Sequence, residues 1–75
     1  MRTEYSKVLG QRMSWSEWVG DCRRMTWDVR AFHTEAEIQG LLDSAGLTYK
    51  KVKTSRVVRD DLDWRRSRNY IRIYI

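Results

Sequence analysis

The residues best equipped for chemistry lie near the end of the chain. Tyr70, Arg72 and Tyr74 alternate with Ile71, Ile73 and Ile75 across residues 69–75. That alternation is the pattern of a half-buried strand. With the isoleucines turned inward, two phenol rings and a guanidinium share one open sheet face. Such a row can stack bases and pair a phosphate. It is also the composition in which protein interfaces are enriched. The plain alternative is cross-strand packing on a solvated sheet. The sheet-face RNA signature, K/R-G-F/Y-G/A-F-V-x-F/Y, is absent.

Cations reinforce the row. Lys50, Lys51, Lys53 and Arg56 come from the segment expected to pair with it, so two of the four would share its face. The segment RDDLDWRRS at residues 59–67 adds Trp64, Arg65 and Arg66 as contact anchors. An exposed loop Trp beside Arg is a typical anchor, although Trp64 could instead cap a small core. Asp60, Asp61 and Asp63 place three carboxylates in four residues. No EF-hand spacing follows and arginines flank them, so local ion pairs of ~0–1 kcal/mol each explain them better than a metal.

Little else points to catalysis. Cys22 and His33 are the single cysteine and the single histidine. Nothing in their spacing brings them together as a nucleophile and base. There is no P-loop, dinucleotide fingerprint, Ser-His-Asp set or HExxH motif. The reading is of a protein that is not an enzyme and uses no cofactor or metal.

Charge supports a binding role. The 75 residues carry a net charge of +5. Residues 1–45 hold six Lys/Arg and seven Asp/Glu, whereas residues 46–75 hold nine Lys/Arg and three Asp. The positive excess therefore lies in the last thirty residues, which suggests an anionic partner. A basic surface kept for solubility is the bland alternative. No stretch approaches the ~20 apolar residues of a membrane span. The first ten residues lack the apolar run of a signal peptide, and one cysteine excludes an internal disulfide. These features suggest a reduced, cytoplasmic setting without membrane contact.

The elements that position these residues follow from local pattern. Residues 34–47, TEAEIQGLLDSAGL, read as a helix. Thr34 and Glu37 make a capping box, and Ile38, Leu41, Leu42 and Ala45 share one helical face. Gly46 is the left-handed stop, and Leu47 can fold back on Leu42. Residues 14–25, SWSEWVGDCRRM, also read as a helix, with Ser14 and Glu17 as capping box and Trp15, Trp18, Val19, Cys22 and Met25 as its stripe. The alternative is a hairpin turning at Gly20-Asp21. Residues 26–32 alternate as a strand, and residues 1–13 suggest a short edge strand. Residues 48–58 read as a basic strand with a bulge near Lys53, because its apolar residues fall on both parities.

Together these predict one small α+β domain over residues 1–75, a two-layer sandwich of two helices on about three strands. The strand-helix-strand unit from residue 26 to 58 is expected as a crossover between parallel strands, with the last two strands as a hairpin. The core would join Trp27, Val29, Ile71 and Ile73 to Ile38, Leu41, Leu42, Trp15 and Trp18. The arrangement has some topological likeness to part of a ferredoxin-like fold, but no family signature.

The functional reading is a non-enzymatic binding protein. It would dock the basic, aromatic C-terminal surface onto an acidic protein or nucleoprotein, in the manner of small inhibitors encoded by phages or mobile elements. The alternative is a small nucleic-acid-binding module using the same face. Self-association through the final strand, read as an edge, is a third possibility.

Overall fold

The computed structural model of the protein describes residues 3–57 and 68–75. Its elements run α1 (Glu4–Leu9), β1 (Trp15–Val19), β2 (Cys22–Val29), α2 (Glu35–Ala45), β3 (Lys51–Val57) and β4 (Arg68–Tyr74). This is a small α+β fold of two helices and a four-stranded antiparallel sheet.

The local signals around α2 act as expected. Thr34 Oγ1 accepts the Glu37 N–H at 3.2 Å. Gly46 sits at φ 72° and donates to Asp43 O, while Leu47 N–H bonds Leu42 O at 3.0 Å. Those two bonds close a Schellman motif and satisfy carbonyls that the helix end would orphan. Ile38 and Leu42 are buried, but Leu41 is 45% exposed. At about 100° per residue, Leu41 lies roughly 80° round the helix from the Ile38–Leu42 line, too far to reach the core.

The N-terminal residues form helix α1 rather than an edge strand. Thr3 Oγ1 accepts the Ser6 N–H at 3.1 Å, and Gly10 ends the helix at φ 69°. Tyr5, Val8 and Leu9 pack against the core. Their i, i+3, i+4 spacing is helical, which is why the period of two fails.

Residues 14–25 form the hairpin and not the helix. Gly20 takes φ 62° while Asp21 stays at negative φ, as a two-residue turn with Gly first requires. The residues that mimicked a helix cap have other partners. Ser14 Oγ accepts the Asp28 N–H at 3.0 Å, and Glu17 pairs across the strands with Arg24. Trp15 and Trp18 point to opposite faces and are exposed, so neither joins the core.

β3 and β4 pair without a break, from Lys51↔Tyr74 to Val57↔Arg68, so there is no bulge near Lys53. The conflicting parities have a simpler origin. Leu47 and Tyr49 precede the strand, and Val57 faces outward and is exposed. Val52 is the buried apolar residue of β3.

The strand order is β1-β2-β4-β3, with every neighbouring pair antiparallel. β2 and β3 therefore run in the same direction, but β4 lies between them. The expected direct parallel pairing is absent because the β3–β4 hairpin folds back into the gap. β4 is also an interior strand with both sides paired, so association through it as an edge is closed off.

The core collects alternate strand residues. Met25, Trp27, Val29, Val52, Ile71 and Ile73 are buried and cluster with Met13, Ile38 and Leu42.

Candidate functional site

Strand parity and register define the opposite face of the sheet. Ile71 and Ile73 are buried, so Tyr70, Arg72 and Tyr74 turn away from the core, each half-buried. Pairing across four strands then sets out rows. One row reads Lys51, Tyr74, Arg24, Glu17, and the next Lys53, Arg72, Thr26, Trp15. A third holds Ser55, Tyr70 and Asp28.

The aromatics and cations of this face touch one another. Lys51 Nζ lies 5.4 Å from the Tyr74 ring centroid, and Arg72 Cζ lies 5.8 Å from that of Tyr70. Both are within the ~6 Å range of cation–π attraction. Trp15 meets Tyr70 edge to face, with centroids 6.2 Å apart and planes at 67°. Thr26 is fully buried at the middle of the face. Its register neighbours are Trp15 and Arg72.

Charge divides the face. The β3–β4 half carries Lys51, Lys53, Arg68 and Arg72, while the β1–β2 half carries Glu17, Arg24 and Asp28. Each carboxylate is neutralised locally: Glu17 pairs with Arg24, and Asp28 lies 3.5 Å from Arg68. The Arg24 hydrogen bond holds the Glu17 carboxyl below its usual value against some desolvation, and Arg24 is raised in turn by Glu17 and Tyr74. Among the described residues, Arg72, Lys51 and Lys53 have no carboxylate partner within ion-pair distance. Those three groups can accept an external anion without first breaking an ion pair to another described residue.

The candidate residues are thus only partly assembled. Tyr70, Arg72, Tyr74, Lys51 and Lys53 share the outer face. Lys50 precedes β3, with its ammonium 3.5 Å from Cys22 Sγ. Arg56 has the inward parity of Asn69 and is exposed, so it belongs to the other side. Trp64, Arg65, Arg66 and the carboxylates Asp60, Asp61 and Asp63 lie outside the described residues. Trp15, Glu17, Arg24, Asp28 and Arg68 join the face without having been singled out for it. Reading residues 14–25 as a helix concealed Trp15, Glu17 and Arg24, which the hairpin alternative would have placed on a sheet.

Among the described residues other chemistry finds no geometry. Cys22 opens β2, and His33 follows its far end and lies 3.4 Å from Glu37. Among the described residues no three His, Cys, Asp or Glu converge on a metal position. A hollow of about 330 Å³ is lined by Ser6, Lys7, Gly10, Gln11 and Arg12, and includes neither Cys22 nor His33. No helix among the described residues is long and apolar enough to cross a membrane.

Comparison of the chain with known protein families, with curated proteins and with solved structures finds no match.

Proposed function

We propose that the protein is a non-enzymatic binding protein built on a two-layer frame, with helices over one side of the sheet and the outer face left for a partner. The partner is an acidic protein surface, alone or in a nucleoprotein, and binding obstructs what that surface would otherwise do. The observation that carries this reading is the set Lys51, Lys53 and Arg72, without a carboxylate partner among the described residues and interleaved with Tyr70 and Tyr74. Charge would raise the rate of encounter, and burial of the rings would slow departure. An inhibitor of the kind made by phages or mobile elements would need no more than this.

A protein partner suits the face better than bare nucleic acid. Glu17 and Asp28 stand on the same surface as the cations. A polyphosphate crossing the strands would leave the β3–β4 cations for ion pairs without net charge, Glu17–Arg24 and Asp28–Arg68, whereas a folded protein can place its acids over the β3–β4 half only. Nucleic-acid binding through that half is the rival reading.

The test is affinity capture with the immobilised chain, with and without nuclease. Capture of the same protein after nuclease supports the proposal. Loss of all capture, with binding to a single-stranded oligonucleotide that falls with salt by about 0.7 log units per log unit for each phosphate contacted, supports the rival.

A further inference from the structure

The two edges of the sheet are built differently. β3 carries Lys51, Lys53 and Arg56, and charged edges deter pairing with another strand. β1, WSEWV, carries one charge, Glu17, already paired with Arg24. It has no proline, and its one-to-one register with β2 contains no bulge. Neither helix packs against it. Trp15 is 43% exposed, Trp18 73% and Val19 42%. An edge strand offers a row of outward N–H and C=O groups, and here nothing among the described residues protects them.

We infer that β1 pairs with β1 of a second copy, antiparallel about a two-fold axis normal to the sheet. Two features choose a second copy as the occupant. The first is charge. The chain carries +5, yet of the seven Lys/Arg on the four strands five lie on β3 and β4, the far half of the sheet, two on β2 and none on β1. Joined at β1, the two β4 strands are five strand spacings apart, about 24 Å, and the two β3 strands about 34 Å. Both exceed the ~8 Å screening length of physiological salt severalfold. The second is self-complementarity. Registers that keep each face continuous centre on Ser16, Glu17 or Trp18. Centring on Glu17 opposes two carboxylates, which disfavours it. Centring on Trp18 buries the most exposed indole against its own mate and sets Glu17 opposite Val19.

The interface is small. β1 has five residues, and full burial of Trp18, its most exposed side chain, removes no more than about 250 Å² per copy, so the two indoles supply less than half of the ~1,200 Å² of a standard interface. The dimer is therefore weak, forming between micromolar and millimolar concentration. A two-fold normal to the sheet keeps like faces on one side, so the two Tyr70-Arg72-Tyr74 rows join one eight-stranded surface.

Sedimentation equilibrium across that concentration range, at low and physiological salt, tests the inference. The expected result is a monomer–dimer equilibrium that tightens with added salt, as repulsion between two basic copies is screened. Trp18→Lys should weaken it by about tenfold or more, the scale of an aromatic hot spot. Because Trp18 is exposed, circular dichroism should show that this variant keeps the fold. Amide exchange along β1 should slow as concentration rises. A monomer throughout overturns the inference, and so does a dimer that Trp18→Lys leaves unchanged.

Discussion

Trp27 donates its indole N–H to Ser6 Oγ at 3.2 Å, with both side chains buried. The bond ties α1 to the central strand β2 across the core. A helix of six residues is too short to stand alone and needs such anchorage. Ser6→Ala leaves the indole N–H buried without its partner, so unfolding in urea should show a loss of ~1–3 kcal/mol. Lys7→Ala, at an exposed ion pair of the same helix, should change stability by less than about 0.5 kcal/mol.

The Glu17–Arg24 pair predicts an acid dependence. In the folded chain Arg24 holds the Glu17 carboxyl below its usual value, and in the unfolded chain that value is restored. The pair therefore adds stability above the unfolded pKa, and this stability is lost as pH falls through the folded one. Denaturant midpoints measured from neutral pH down into the carboxylate range should fall for the native chain and fall less for Glu17→Gln.

Gly20 holds the turn that the helical reading of residues 14–25 conflicts with. An added Cβ would meet nothing within 4 Å, so only backbone conformation opposes a side chain there. Gly20→Ala should cost about 1–2 kcal/mol of stability, because φ is positive. Were the segment helical, the same change would stabilise it by about 1 kcal/mol. Thermal unfolding therefore distinguishes the two by sign.

Thr26 is buried on the outer face, and its hydroxyl has no hydrogen-bond partner among the described residues. Thr26→Val keeps the shape and the strand propensity while removing an unsatisfied group. It should raise stability by about 1 kcal/mol in chemical denaturation. Partner capture should not change, since Thr26 is fully covered.

What could be read before folding was what local pattern determines alone. Helix α2 was legible because Thr34, Ile38, Leu42 and Gly46 specify start, face and stop within one segment. β4 was legible because Ile71 and Ile73 alternate with Tyr70 and Arg72 without exception. The hairpin was not, because Trp15, Trp18, Val19, Cys22 and Met25 satisfy a helical stripe as well as two strands. Only pairing decides between them, through Glu17 with Arg24 and Met25 with Ile73, and pairing is non-local. Helix α1 carried its own signal, with Thr3 before Tyr5, Val8 and Leu9 and Gly10 after them. The place of β4 between β2 and β3 had no local signature, and with it went the true edge of the sheet. For the binding face, Tyr70, Arg72 and Tyr74 were readable, whereas Trp15 and Arg24 became part of it only once the hairpin was placed.

In the proposed function, Lys53 and Arg72 on the outer face, with the tyrosines beside them, make contact with an acidic protein. The direct measurement is quantitative capture from nuclease-treated lysate by three immobilised chains: the native protein, Lys53→Glu/Arg72→Glu, and Lys7→Glu as a charge reversal on α1. The outer-face variant should keep its fold by circular dichroism and lose captured protein by at least about tenfold, while Lys7→Glu matches the native chain. Equal capture by all three folded chains would contradict the proposed function.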